Sequence, residues 1–126
     1  MTDSLDRLYE GVLAAKGSDP VVSRTARLLR AGRAKSGKKL AEEAVEVVIA
    51  AMHGERDAVV RESADLIYNL VVVWALAGVR PADVWKEMQR REELFGIAEK
   101  LLKHDISVKG RPKVTPLPDR RLRGRR

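Results

Sequence analysis

Five carboxylates interrupt stretches that otherwise read as apolar helix. Glu42, Glu43 and Glu46 lie in Lys-Leu-Ala-Glu-Glu-Ala-Val-Glu-Val-Val-Ile-Ala-Ala, and Glu62 and Asp65 in Glu-Ser-Ala-Asp-Leu-Ile-Tyr-Asn-Leu-Val-Val-Val. A lone carboxylate enclosed by apolar walls costs roughly several kcal/mol, so such a group demands a cation or a partner. Glu46 and Asp65 are expected to be enclosed in this way, which constrains the fold to one that brings charges together inside a helical assembly.

The spacing turns that demand into a site. At about 100° per residue, Glu43 and Glu46 lie roughly 60° apart on one helix face, and Glu62 and Asp65 repeat the interval on a second helix. An antiparallel helix pair would present all four carboxylates to one volume. They would repel one another there unless they held a hard cation, and all-oxygen ligation points to Mg²⁺ or Mn²⁺. The di-iron bundles use Glu-x-x-His pairs, and here the fourth residue of each pair is Glu46 or Asp65.

The rest of the chain is read around those two helices. Asp3 to Lys16 has helical apolar spacing and ends at Gly17, and Ser18-Asp19-Pro20 is expected to cap a short helix through Leu29. Ala31 to Gly37 reads as a basic loop. Long helices are expected from Lys38 to Met52 and from Arg56 to Ala77, with Gly78 as a stop and Pro81 opening another. The run Leu66 to Leu76 is apolar nearly all round and must be covered by other helices. Tyr68, Trp74 and Trp85 are expected in the core, and His53 in a loop. The brief alternation at Asp105 to Val108 is too isolated for a sheet. The fold class is therefore all-α, a bundle of about four to five helices whose core is completed by dimerisation.

Charge divides the 126 residues unevenly. The net charge is +7, yet residues 1–99 carry 15 Lys/Arg against 16 Asp/Glu, and residues 100–126 carry 10 against 2. We expect a helical domain over residues 1–99 and a basic, Pro/Arg-rich flexible tail over 100–126, since a segment so poor in apolar residues cannot offset its ordering entropy. Met1 to Leu8 lacks the basic flank and apolar core of a signal peptide, and the longest apolar stretch, Leu70 to Val79, is too short to span a bilayer. The expected location is cytoplasmic, with no membrane partner.

Reactive side chains are few. There is no cysteine, the only histidines are His53 and His104, and nothing suggests a Ser-His-Asp arrangement. Between Val21 and Leu40, however, stand Arg24, Arg27, Arg30, Arg33, Lys35, Lys38 and Lys39, with no acid among them. A basic stretch feeding into a carboxylate cluster suits a polyphosphate substrate. Arg24, Arg27, Lys35, Lys38 and Lys39 are the candidate substrate contacts, although Lys38 and Lys39 are also spaced to pair with Glu42 and Glu43. The chemistry these groups permit is metal-assisted phosphoanhydride hydrolysis, with Glu43, Glu46, Glu62 and Asp65 as ligands and Glu42 as the spare carboxylate that serves as base.

Ser23 to Gly32, Lys38 to Ala51 and Glu62 to Leu70 resemble the phosphoribosyl-ATP pyrophosphohydrolases of histidine biosynthesis, members of the all-α MazG-type nucleotide pyrophosphohydrolases. The resemblance covers roughly Leu5 to Arg91. It implies a Mg²⁺-dependent homodimer or larger oligomer that cleaves phosphoribosyl-ATP to phosphoribosyl-AMP and pyrophosphate, with Glu43, Glu46, Glu62 and Asp65 as metal ligands. Three positions depart from the pattern: Arg24 where an aromatic is usual, Ala41 where glycine is usual, and Asn69 where histidine follows Tyr68. These bear on the substrate more than on the metal, and Asn69 reads as either a substrate contact or an interfacial hydrogen-bonder. One alternative is a housekeeping (d)NTP pyrophosphatase of the same fold. A second is a non-catalytic helical module holding nucleic acid through its tail, which leaves the acid pairs unexplained; nucleic acid is not the expected partner.

Overall fold

A computed structural model describes residues 3–109, with side chains described to residue 96. Among the described residues there are five α-helices and no strand: α1 (Ser4–Ala14), followed by a 3-10 turn over Ala15–Gly17, α2 (Arg24–Ala31), α3 (Arg33–Met52), α4 (Arg56–Ala77) and α5 (Pro81–Lys109). The chain divides into two compact units, the first ending at Glu87 and the second starting at Met88.

Within the first unit, α3 and α4 form a helical hairpin joined by His53, Gly54 and Glu55. α1 packs on α4, and the centre of the core is Tyr9 and Val12 from α1 with Val71, Val72 and Ala75 from α4. Leu28 and Leu29 of α2 add to that cluster, as do Tyr68 and Trp74. The expected core role of Tyr68 and Trp74 is met, whereas Trp85 is 39% exposed and lies outside the cluster.

Local chemistry explains the helix ends. Asp3 Oδ1 accepts a 2.8 Å hydrogen bond from the Asp6 amide at the start of α1, and Ser23 Oγ accepts one of 3.1 Å from the Ala26 amide at the start of α2. Gly78 ends α4 in the left-handed conformation (φ 72°, ψ 24°), with the Val79 amide donating to Trp74 O at 2.9 Å.

Two expectations between residues 18 and 37 are corrected. Pro20 does not start a helix: Asp19 Oδ1 accepts from the Val21 amide, Asp19 O accepts from the Ser23 amide, and the helix begins four residues later at Arg24 under the Ser23 cap. The stretch Ala31 to Gly37 is not a loop either. Gly32 alone, at φ 89° and ψ 178°, separates α2 from α3, a conformation open to glycine and hardly to any other residue. Gly37 then sits inside α3, where a mid-helix glycine is tolerated at a cost of about 1 kcal/mol.

In the second unit α5 continues to Lys109, so the expected tail boundary at residue 100 falls inside a helix, as does Asp105 to Val108. Met88, Leu94 and Phe95 are exposed. The tail from Gly110 to Arg126 lies outside the described residues. No single described helix is long and apolar enough to cross a membrane.

Candidate active site

The basic residues converge on a cleft between α2 and α3. Its volume is about 410 Å³, and its lining is Arg24, Arg27, Leu28 and Ala31 from α2 with Lys35, Lys38, Lys39 and Glu42 from α3. Both sets follow the i, i+3, i+4, i+7 interval, so each helix turns one face to the cleft. The Gly32 reversal is what lets consecutive helices oppose those faces. Five of the six expected substrate contacts, all but Asn69, thus share one cleft, and Glu42 stands in the same wall. Leu28 and Ala31 were not anticipated; extending the Arg24–Arg27 interval by one and four residues finds them. Among the described residues, no aromatic side chain lines the cleft.

Arg27 is partly committed to its own backbone. Its Nη1 donates to Pro20 O at 3.1 Å and more weakly to Val21 O at 3.4 Å, which braces the turn ahead of α2. Ser36, 2% exposed, donates from Oγ to Leu28 O at 3.1 Å and fixes α3 to the end of α2. Thr25 Oγ1 and Tyr68 OH share a 2.6 Å hydrogen bond that links α2 to α4.

The carboxylates gather on the adjoining faces of α3 and α4. Oxygens of Glu43, Glu62 and Asp65 all lie within 4.8 Å of one another. Glu43 is 9% exposed, and its Oε1 is 3.2 Å from Lys39 Nζ, one helical turn earlier. Three carboxylates at this separation are an unfavourable arrangement of like charge, and a donor set of carboxylate oxygens alone fits a hard divalent cation such as Mg²⁺ or Mn²⁺.

Glu46 is placed differently from expectation. It follows Glu43 by one turn but is exposed and is not part of the close group. The expected enclosure of Glu46 and Asp65 by apolar walls is likewise corrected, because both are exposed and the neighbouring Val45, Val48 and Ile49 are themselves 43–55% exposed. The helices are as apolar as their sequence says, but one chain leaves that face uncovered.

Asn69 is 3% exposed, lines no part of the cleft, and donates from Nδ2 to Asp65 O at 2.8 Å. Its side chain is turned back onto its own helix, against the turn that carries Asp65.

Residues 5–92 match the family described as phosphoribosyl-ATP pyrophosphohydrolase. A phosphoribosyl-ATP pyrophosphatase 2 of Rhodopseudomonas palustris is 64% identical over 118 residues, which span 94% of this chain and 90% of that protein. The same-named protein of Bradyrhizobium diazoefficiens is 64% identical over 114 residues, 90% of this chain and 83% of the relative. The phosphoribosyl-ATP pyrophosphatase of Azospirillum brasilense is 54% identical over 96 residues, covering 76% of this chain and 86% of the relative. With the matched segment containing every residue of the cleft and of the carboxylate group, this chain belongs to the phosphoribosyl-ATP pyrophosphohydrolase family.

Proposed function

We propose that this protein hydrolyses phosphoribosyl-ATP to phosphoribosyl-AMP and pyrophosphate, the second step of L-histidine biosynthesis, with Mg²⁺ as cofactor. The observation that carries the reading is the junction of two sites. A cleft with five cationic side chains runs into a three-carboxylate group, and Lys39 and Glu43 join them.

In the reaction the bond between the α-phosphorus and the bridging oxygen to the β-phosphorus, or its mirror at the β-phosphorus, breaks. The oxygen of water takes its place, pyrophosphate leaves and the proton of water passes to a base. Arg24, Arg27, Lys35, Lys38 and Lys39 bind and orient the triphosphate, and Glu42, in the same wall, takes the proton. Glu43, Glu62 and Asp65 would hold the cation, and Glu46, one turn along α3, would have to move in to serve as a fourth ligand. Bound there, Mg²⁺ supplies charge neutralisation on the phosphates and activation of water.

The working form is a homodimer or larger assembly. Val45, Val48, Ile49 and Met52 make an exposed stripe on α3, and Val60 and Ile67 are exposed on α4. A second copy covers that face, as isolated monomers rarely leave so many large apolar groups in water.

The cleft itself favours a second reading, a (d)NTP pyrophosphatase, because among the described residues no aromatic lines it to stack on a particular base and Arg24 occupies the position where the family pattern has an aromatic. Pyrophosphate release with Mg²⁺, comparing phosphoribosyl-ATP with ATP and a set of dNTPs at equal concentration, separates the two. Strong preference for phosphoribosyl-ATP supports the pathway role; preference for a simple nucleotide replaces it.

A further inference from the structure

Cations and carboxylates at this site stand on different helices, so their separation depends on how α2 is held. α2 has eight residues, and Ala26 is its one buried side chain. A helix of that length has no appreciable stability alone, so its position comes from what fixes it to its neighbours. Ser36 holds the end of α2 to α3. The Thr25–Tyr68 hydrogen bond instead holds the first turn of α2 to α4.

Its place in the two helices gives this bond its reach. Thr25 follows Arg24 and precedes Arg27 by two residues, and its side chain is turned about 100° from that of Arg24, away from the cleft face and toward α4. Tyr68 stands three residues after Asp65, one turn along the same helix, and Asn69 beside it donates to Asp65 O. A single short hydrogen bond therefore runs from the turn that carries two cleft arginines to the turn that carries a carboxylate of the acidic group.

We propose that Thr25 and Tyr68 are positioning residues: their hydroxyl pair sets the distance between Arg24 and Arg27 and the carboxylate group, and so the length of polyphosphate that reaches both. The inference rests on the function proposed above. Neither hydroxyl lines the cleft, so the pair acts on binding geometry and leaves the bond-breaking groups in place.

The test uses Tyr68→Phe, Thr25→Val, Thr25→Ser and the double variant Thr25→Val/Tyr68→Phe in the full chain. Two readouts are taken: steady-state kinetics on phosphoribosyl-ATP with Mg²⁺, and calorimetric affinity for inorganic tripolyphosphate. Losing one neutral hydrogen bond should raise KM and weaken tripolyphosphate binding by about fivefold in Tyr68→Phe and Thr25→Val, with kcat within about twofold of wild type. Thr25→Ser, which keeps the hydroxyl, should stay at wild type on both readouts, and the double variant should be no worse than either single one because both remove the same bond. Unchanged KM and tripolyphosphate affinity in both single variants overturns the proposal, as does an additive loss in the double variant or a loss confined to kcat. If wild-type protein releases no pyrophosphate from phosphoribosyl-ATP, the functional reading fails by itself, and tripolyphosphate affinity across the same variants still decides the positioning role.

Discussion

Lys39 Nζ stands 3.2 Å from Glu43 Oε1, and the two side chains belong to different sites: Lys39 lines the basic cleft, and Glu43 is one of three carboxylates whose oxygens lie within 4.8 Å. The lysine offsets part of the repulsion among Glu43, Glu62 and Asp65 and competes with any cation drawn to them. Lys39→Met is therefore expected to change the two sites in opposite directions. Divalent-cation affinity of the free protein should rise about two- to fivefold, the range set by a partly exposed ion pair, while KM for the nucleotide increases. Titration calorimetry with Mn²⁺ and steady-state kinetics read the two effects separately; a weaker cation affinity would show that Lys39 organises Glu43 instead of opposing the cation.

The carboxylates divide into those the structure groups and one it does not. Glu43→Gln, Glu62→Gln and Asp65→Asn should each abolish Mg²⁺-dependent turnover and the thermal stabilisation expected of wild type on adding Mg²⁺, because each deletes a charge from the proposed ligand set. Without metal these variants should fold as well as wild type or better, since a repelling charge is gone. Glu46→Gln is expected to lose turnover in the same way if Glu46 swings in as the fourth ligand. Substantial activity in that variant would restrict the site to Glu43, Glu62 and Asp65.

Much of this arrangement is legible in the residues, and the exceptions have physical causes. α4 is bounded where expected, because Gly78 supplies the left-handed stop that its apolar period requires. The cleft is legible because no acid interrupts the cations from Arg24 to Lys39. The start of α3 is not, since Ser36-Gly37 reads as loop punctuation whereas Ser36 is buried and bonded to Leu28 O. The enclosure of Glu46 fails for a different reason: helical periodicity records which face is apolar and carries no information on whether the same chain covers it. Asn69 shows the limit for polar side chains, because its choice of Asp65 O as partner depends on a backbone carbonyl that composition cannot reveal.

Gly32 offers a test of the cleft as a folded object. Its φ of 89° leaves an added Cβ in open space, so the cost of Gly32→Ala is conformational and not steric crowding with neighbours. A non-glycine residue in this region of φ/ψ costs about 1–3 kcal/mol. The variant should lose that much stability in urea titration or should re-aim α2, in which case KM rises while the carboxylate group on α3 and α4 still binds Mn²⁺. Wild-type stability together with wild-type KM would mean that the reversal between α2 and α3 does not need the glycine conformation.

The uncovered face of the α3–α4 hairpin leads to the last prediction. Met52 is 80% exposed and Val48 55%, on a helix whose opposite side carries the buried Ala50 and Glu43. Covering such a stripe with a second copy removes apolar area from water at about 25 cal/mol per Å², which a single introduced charge at its centre cancels by requiring desolvation without a partner. Val48→Glu should therefore convert the proposed assembly to monomer in light scattering after size exclusion, whereas Val22→Glu, at a loop position 84% open to solvent, should leave it unchanged. A Val48→Glu protein that remains an oligomer would place the interface on another surface, and a monomer with full activity would show that one chain holds the complete site.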